Sequence, residues 1–161
     1  MEVGGISMII RELISTDVTA YQTFMLCGLQ AHPESFRISA KDAGEPMVPF
    51  APSRVDAFTL GAWLHEGQLA GVVSFARETQ EKLRHKALLY RMYVRAESSG
   101  RGIGRNLVQE VVRRAVVSLN LRAKRLYGSE GFTVFAREER GLKMGEAYCD
   151  EEQMALRLVR S

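Results

Sequence analysis

The sequence predicts an α/β protein of the α+β kind, in which a mainly antiparallel sheet is flanked by helices. Short polar links join three stretches rich in apolar and β-branched residues: 57–64, 69–76 and 87–94. Strands joined in this way pair antiparallel, because a parallel crossover needs about a dozen residues or more. Residues 21–29 and 107–115 instead repeat apolar side chains at helical spacing. The length of 161 residues suits one domain, which we expect to span residues 1–161.

Composition and charge narrow the class of protein. With 46% hydrophobic and 25% charged residues, the chain has the balance of a soluble globular protein. A net charge of +3, with both signs interspersed, does not predict a nucleic-acid partner, although the isoelectric point is near 9.0. No apolar run reaches the roughly 18 residues of a membrane span, and the N-terminus lacks a signal-peptide pattern. We therefore expect a cytoplasmic protein with no membrane partner.

The two cysteines, Cys27 and Cys149, lie far apart in the sequence. No cluster of Cys and His has the spacing of metal ligands, so no bound metal is expected. Reduced thiols are the prediction for a cytoplasmic protein, with a disulfide as the alternative.

The first third of the chain predicts a strand, a helix and an irregular connector. Residues Ser7–Ile14 are rich in isoleucine and alternate as in a strand. Thr16 is a suitable N-cap for the helix that follows, and Pro33 ends that helix. Five residues are predicted to form its buried face: Tyr21, Phe24, Met25, Gly28 and Leu29. The connector, 32–52, holds all four prolines and a short helix near Ser39–Ala43, and is either a functional loop or an ordinary surface loop.

The middle of the chain predicts a meander of three strands: Ala57–Leu64, Leu69–Ala76 and Ala87–Val94. A hairpin turn at residues 65–68 joins the first two, with Gly67 where a positive φ is useful. The charged stretch Arg77–Lys86 is a solvated connector to the third strand.

Glycines then lead into a helix with an apolar face of five residues: Leu107, Val108, Val111, Val112 and Ala115. Residues Val116–Leu119 predict a short buried strand. Asn120 would cap a helix over Leu121–Glu130, with Gly131 as its C-terminal glycine. Two antiparallel strands and the turn region between them complete the prediction: Phe132–Arg137, Glu152–Val159 and Gly141–Gly145.

The glycine turn has the residues of an anion site. Residues 100–105 read Gly-Arg-Gly-Ile-Gly-Arg, between a strand and a helix. Glycines let main-chain N–H groups approach phosphate oxygens, and the helix N-terminus and two arginines add positive charge. The stretch lacks the Lys-Ser/Thr of a Walker motif and the third glycine of a dinucleotide fingerprint. A phosphate or pyrophosphate site is the functional interpretation, and an ordinary tight turn is the alternative.

A second group of residues runs from Asn120 to Phe132. In it Tyr127 lies on the helical face that carries Ala123 and Leu126. It is either a core aromatic residue, which is the usual role of a helical tyrosine, or a general acid close to a leaving group.

Together these residues resemble the GNAT superfamily of acyl-CoA-dependent N-acetyltransferases. The family pattern Q/R-x-x-G-x-G/A corresponds to residues 99–104, Ser-Gly-Arg-Gly-Ile-Gly, and the strand before it to Arg91–Val94. The pattern N-x-x-A-x-x-L-Y…G-F is matched at six positions: Asn120, Ala123, Leu126, Tyr127, Gly131 and Phe132. The order of elements agrees from about Ser7 to Val159.

The resemblance implies one N-acetyltransferase domain over residues 1–161. Its mixed, mainly antiparallel central sheet would be flanked by helices, with a splayed central strand pair that holds acetyl-CoA. An amine, either a small molecule or a peptide or protein amine, would attack the acetyl group directly. Tyr127 would protonate the departing thiolate as the catalytic residue. The residues implied to hold coenzyme A are Met92, Tyr93, Val94, Ser99, Gly100, Arg101, Gly102, Ile103, Gly104, Arg105, Asn120 and Ala123.

The chain departs from the family pattern at two places. Ser99 stands where the family has Gln or Arg, and the segment between Gly104 and Asn120 is shorter than usual. Either the helix stops early, near Arg113, or this segment is unusual. Both departures motivate a second hypothesis, a non-catalytic module of the same fold that binds acyl-CoA or a partner.

The acceptor and the general base are left open by the sequence. The base candidates are Glu78, Glu81, His85 and Tyr90, and a water relay is an adequate alternative. We expect the acceptor to be recognised by segments 32–52, 77–86 and 138–150. A cationic substrate or a solvated turn would each explain five acidic residues: Glu138, Glu139, Glu146, Asp150 and Glu151. A homodimer is neither predicted nor excluded.

Overall fold

Eight strands and two α-helices form the part of the chain that the computed structural model describes, residues 2–3, 6–36, 39, 56–119, 133–144 and 146–157. The helices are α1 (Val18–Ala31) and α2 (Ile103–Leu119). The strands are β1 (Glu2–Val3), β2 (Ile6–Ser7), β3 (Ile9–Glu12), β4 (Ala57–Leu64), β5 (Gln68–Arg77), β6 (Ala87–Val94), β7 (Thr133–Met144) and β8 (Ala147–Ala155).

Four strands form the main sheet, in the order β3-β4-β5-β6, and every neighbouring pair is antiparallel. The predicted meander is therefore confirmed: β4 and β6 have the predicted bounds, and β5 is one residue longer at each end. The short links explain this order, because they allow only adjacent antiparallel strands. The splayed partner of β6 implied by the resemblance is not among the described strands.

The sheet buries both of its faces. On one face, Leu107 and Val111 of α2 pack with Leu60 and Val73 of the sheet. On the other, α1 packs against Leu69 and Val72 through a cluster that includes Tyr21, Phe24 and Met25. The predicted inner face of α1 is confirmed, since all five of its residues are buried. A three-layer arrangement of helix, sheet and helix results.

The start of α1 differs from the prediction. Helix α1 begins at Val18, after a single turn of 3-10 helix at Ser15–Asp17, so Thr16 is not its N-cap. The Asp17 carboxylate accepts the Ile14 N–H at 2.8 Å and two Arg11 N–H groups at 2.7 and 2.9 Å. These charge-assisted bonds connect the helix start to β3, which a threonine hydroxyl could not do. The predicted end before Pro33 is confirmed.

Helix α2 continues to Leu119, so the predicted strand Val116–Leu119 is wrong, as is an early stop near Arg113. The apolar repeat of Leu107, Val111 and Ala115 keeps one face on the sheet. No glycine or proline interrupts the chain between Arg105 and Leu119. The β-branched valines there follow the helix because their intrinsic preference for strands is small beside the packing of a continuing helix.

Strands β7 and β8 form a separate antiparallel hairpin. The predicted antiparallel pairing is confirmed, but the predicted turn at Gly141–Gly145 is wrong: Gly141 lies inside β7, and β8 begins at Ala147 rather than Glu152. The pairing is irregular between Glu138 and Leu142, where Arg140 has a φ of +58°. A bulge within a longer strand thus takes the place of the predicted turn. Within the described residues this hairpin joins no strand of the main sheet.

Several predicted features lie outside the described residues: the helix Leu121–Glu130 with Asn120 and Gly131, Phe132, Val159, and residues 37, 38 and 40–52 of the connector with most of its short helix. Among the residues that are described, no helix is long and apolar enough to span a membrane. Cys27 is a free, exposed thiol.

Candidate functional site

The chain leaves β6 through a tight, hydrogen-bonded turn that ends at α2. A single 3-10 turn over Ala96–Ser98 is closed by the Ser98 N–H to the Arg95 carbonyl at 3.0 Å. Gly100 and Gly102 follow, each with a φ of +76°. This backbone conformation is disfavoured for residues with a Cβ, so the turn requires glycine at both positions.

The three glycines of the turn serve two purposes. A Cβ placed on Gly100 or Gly102 would meet no atom of the described residues within 4 Å, so they leave the surface above these glycines open. A Cβ on Gly104, already inside α2, would lie 3.0 Å from Met92 Cε on β6. Gly104 therefore allows the helix to approach the strand closely, whereas the other two shape the loop and leave room above it.

The N-terminus of α2 faces this loop. Its first i→i−4 bond runs from the Asn106 N–H to the Gly102 carbonyl at 2.9 Å. The N–H groups of Ile103, Gly104 and Arg105 precede that bond and have no acceptor within the helix. Together with the helix dipole and the exposed Arg101 and Arg105, they create a positive site suited to a phosphate.

Arg95 holds the loop in place, a role that sequence reasoning missed. Its Nε donates to the Leu69 carbonyl at 2.9 Å, and its N–H to the Ala70 carbonyl at 2.9 Å. Its guanidinium also lies 5.3 Å from the centre of the Phe24 ring. Arg95 thus connects the end of β6 to β5 and to α1. Nothing in the sequence distinguishes it from a solvent-exposed arginine.

Strand β6 is the last strand in the order of the main sheet, and it leads into this loop. One side of β6 pairs with β5, and among the described strands none pairs with the other side. A β-bulge interrupts the pairing, because Arg91 and Met92 together stand opposite Val73. Arg91 has a φ of +50°. Met92, Tyr93 and Val94, implied to contact the cofactor, lie between this bulge and the loop.

A buried phenol lies next to the bulge. Tyr21 of α1 is fully buried, and burial raises its pKa. The nearby Arg91 guanidinium lowers the pKa of Tyr21 through its charge and hydrogen bonding, and the Ser74 hydroxyl lowers it more weakly. The sequence predicted Tyr21 only as a core residue, and it did not single out Arg91.

Tyr93 packs tightly between β6 and α1. Its ring lies 5.5 Å from that of Phe24, edge to face. A Cβ on Gly28 would be only 2.7 Å from the Tyr93 ring, so glycine permits this approach. Burial, and secondarily the charge of Glu97, raises the pKa of the Tyr93 phenol. The phenol is therefore neutral at pH 7.

The described residues implied to hold the cofactor form one continuous strip along the end of β6, the loop and the first turn of α2. Asn120, Ala123 and Tyr127 lie outside the described residues. The candidate bases differ in position: Glu78, Glu81 and His85 are exposed on the connector after β5, and Tyr90 is half-buried on β6. In the described ranges, no cluster of His, Cys, Asp and Glu could hold a metal ion.

The acidic residues of the hairpin are partly neutralised. Asp150 pairs with Arg137 and accepts the Arg140 N–H at 3.0 Å. These contacts lower the pKa of Asp150. Asp150 therefore supports the bulge in β7, which weakens the hypothesis that this segment recruits a cationic substrate.

Comparisons with known proteins agree with this architecture. The family model of the acetyltransferase (GNAT) domain matches residues 59–134. A GNAT-family acetyltransferase from Streptococcus pneumoniae superimposes with a TM-score of 0.72 at 23% identity, over 93% of this chain and 99% of the other. A Kribbella flavida GCN5-related N-acetyltransferase gives 0.69 at 20% identity, over 91% and 95%.

A third structure, from Salmonella typhimurium, contains acetyl-CoA as its cofactor. It gives a TM-score of 0.68 at 19% identity and covers 96% of both chains. No protein of curated function matches the sequence at a significant level. The comparisons confirm the predicted fold class and the predicted resemblance.

Proposed function

We propose that this chain, which has the GNAT fold and matches the model of the GNAT acetyltransferase domain over residues 59–134, transfers an acetyl group from acetyl-CoA to a primary amine. One observation carries the proposal: an open loop with two positive-φ glycines meets the N-terminus of α2 beside an edge of β6. A pyrophosphate and an extended, amide-containing arm are the ligand parts that such a loop and edge suit.

The residues present fit acetyl-CoA. The N–H groups of residues 101–105 would hold the pyrophosphate, in the space left open above Gly100 and Gly102. The main chain of Met92 and Val94 would pair with the pantetheine arm as a further strand would, beside Tyr93. From the resemblance, Asn120 would bond this arm and Ala123 would leave room for it. Bound acetyl-CoA supplies an activated thioester.

The chain's own groups then orient the reactants and move protons. The amine attacks the acetyl carbonyl directly, so no nucleophilic Cys or Ser is needed. The proton released from the amine leaves through water or through one of the base candidates on β6 and its connector. Tyr127 donates its proton to the thiolate that departs. Because a phenol is neutral near pH 7, Tyr127 is chemically suited to this role.

The cofactor site is tested by calorimetry with acetyl-CoA on the intact chain and on Gly102→Val. Valine at a φ of +76° strains the loop by about 1–2 kcal/mol and closes the space above it, so binding should be lost. Gly67→Val is a matched control, since Gly67 has the same φ and equally open surroundings in the hairpin turn before β5. It should bind normally. No binding by the unmodified chain would refute the proposal.

The proposed acid is tested by Tyr127→Phe. Removal of the phenol should lower turnover roughly 10²–10⁴-fold, because the thiolate must then leave unprotonated. Calorimetry should show acetyl-CoA affinity close to that of the unmodified chain. Unchanged turnover would assign the acid role to another group.

The alternative is a non-catalytic module of the same fold. It is favoured by one observation, that α2 continues through residues 116–119, where the sequence predicts a short buried strand. An amine panel separates the two hypotheses. Amine-dependent release of free thiol above the rate of hydrolysis supports the enzyme, and acetyl-CoA binding without such release supports the module.

The proposal also includes the domain bounds, the cellular location and the partner of the enzyme. We place one N-acetyltransferase domain over residues 1–161, in the cytoplasm, with a small-molecule or peptide amine as its partner. Neither a nucleic acid nor a membrane is needed for this function, and the proposal does not depend on a homodimer.

A further inference from the structure

We propose that Arg91 binds an anionic group of the acceptor, so that the acceptor is an amine that also carries a carboxylate, as an amino acid does. This inference rests on the proposed function and adds the substrate class. It starts from three features of Arg91: its backbone conformation, its charge and its position along β6.

The backbone of Arg91 is in a conformation that favours glycine. Its φ of +50° occurs at a bulge where Arg91 and Met92 face Val73 alone. The extra residue puts Tyr90 and Arg91 on the α1 side of the sheet, whereas Met92 meets α2 at Gly104. A long, branched cation in a strained conformation is a residue for which a functional reason should be sought.

The charge of Arg91 lacks a carboxylate partner in the part of the chain that the structure describes. The guanidinium lies beside the buried phenol of Tyr21 and 5.5 Å from the centre of the Tyr90 ring. The residue is half-buried. Aromatic rings position the guanidinium without supplying a carboxylate, so its charge is available to a ligand.

Position along β6 relates Arg91 to the reaction. Strand β6 runs toward the glycine loop, so an arm that extends from the loop along the strand edge passes Val94 and Met92 and approaches Arg91. Each strand residue advances about 3.3 Å. The acetyl end, and hence the attacking amine, would therefore lie nearest the bulge.

A guanidinium at this bulge favours some amine acceptors over others. Its fork of N–H groups matches a carboxylate in a bidentate pair. It also repels a second positive charge and lowers the pKa of a nearby ammonium group, which favours the neutral, nucleophilic amine. Amines that carry a carboxylate gain from the bidentate pair, and polycationic acceptors are disfavoured by the repulsion.

Arg140 provides an internal control for this argument. It too is an arginine with a positive φ, +58°, at a bulge, and it lies 4.1 Å from the centre of the Tyr148 ring. It is exposed on the β7–β8 hairpin, and the Tyr148 ring that it contacts is 46% exposed. The two arginines share their strain and aromatic contact, but Arg91 lies on β6, directly before the residues implied to hold the cofactor.

The experiment compares amino acids with their α-amides, which keep the amine and side chain but lack the anion. Thiol release from acetyl-CoA gives kcat/KM for each member of the pair, and calorimetry gives binding of each in the presence of coenzyme A. The unmodified chain should prefer the acids about 10- to 100-fold, as expected for a hydrogen-bonded charge pair. Arg91→Met should abolish the preference and Arg91→Lys should retain part of it. Arg140→Met should leave it unchanged.

The outcomes separate this inference from the function on which it rests. Acetylation of acids and amides with equal kcat/KM, or a preference that persists in Arg91→Met, would overturn the role of Arg91 and leave the acetyltransferase intact. No acetyl-CoA binding and no thiol release with any amine would overturn the proposed function itself. Arg91→Gly, which removes the charge and relieves the strain, guards against misfolding and should behave like Arg91→Met.

Discussion

The main sheet and the β7–β8 hairpin are both antiparallel and both contain a bulge with a positive-φ arginine, but they differ in what covers them. The main sheet has a helix on each face and two buried clusters. In the hairpin, every residue from Thr133 to Arg140 is exposed, including Phe135 at 64%. Two strands without a covered face are marginally stable at best.

This difference indicates which region stabilises the fold and supports the candidate site. The loop, β6 and α2 are all anchored in the main sheet. Gly71 of β5 illustrates this, since a Cβ there would lie 3.0 Å from both Ile103 and Leu107 of α2. The site is therefore rigidly supported, and the hairpin contributes little to that support within the described residues.

The largest expected contrast comes from truncating one apolar side chain in each region. Leu107→Ala removes a fully buried side chain and should lower the free energy of unfolding by about 2–5 kcal/mol. Phe135→Ala removes an exposed ring and should change it by less than about 0.5 kcal/mol. Denaturant unfolding followed by circular dichroism measures both. A loss of several kcal/mol in Phe135→Ala would show that this face of the hairpin is covered in solution.

A smaller difference between the two regions is expected in how stability depends on pH. It can be measured at one carboxylate in each region. Glu110 of α2, whose side chain is 22% exposed, receives hydrogen bonds from Arg113 and Arg114. Mainly the Arg113 bond lowers its pKa from 4.5 to about 2. The folded state therefore binds this proton less readily than the unfolded state. The stabilisation is complete above about pH 4.5 and is lost as the pH falls toward 2.

Glu110→Gln should remove this dependence and cost about 1 kcal/mol at pH 7, a value reduced for partial solvent exposure. Asp150→Asn in the hairpin should leave the unfolding midpoint unchanged, because Asp150 is exposed on a hairpin whose described residues 133–140 are also all exposed. Unfolding midpoints between pH 2 and 7 test both variants. An unaltered pH profile in Glu110→Gln would show that another carboxylate dominates acid unfolding.

Much of the main sheet was predictable from the sequence. The bounds of β4 and β6 follow from stretches rich in apolar and β-branched residues between polar links, and the inner face of α1 follows from its helical period. The loop of the candidate site was also predictable, because Gly100 and Gly102 mark a backbone that few other residues can adopt.

Other features could not be predicted, for physical reasons that differ. The valines at residues 116 and 117 have a local preference for strands, yet they continue α2, since helix formation is cooperative and the helix packs on the sheet. The bulge at Arg91 has no sequence signal, as an arginine normally avoids a positive φ. The role of Arg95 depends on carbonyls of Leu69 and Ala70, which are distant in sequence.

The sequence by itself thus determined the β4-β5-β6 meander, the buried face of α1, the glycine loop and the resemblance to N-acetyltransferases. Periodicity and glycine conformation are local properties, so they can be read from neighbouring residues. Only the tertiary structure decided that α2 runs to Leu119, that β7 pairs with β8 and with no described strand of the main sheet, and that Arg91 lies beside Tyr21. These features depend on which surfaces meet after folding, because packing free energies and charge environments arise between residues far apart in the chain.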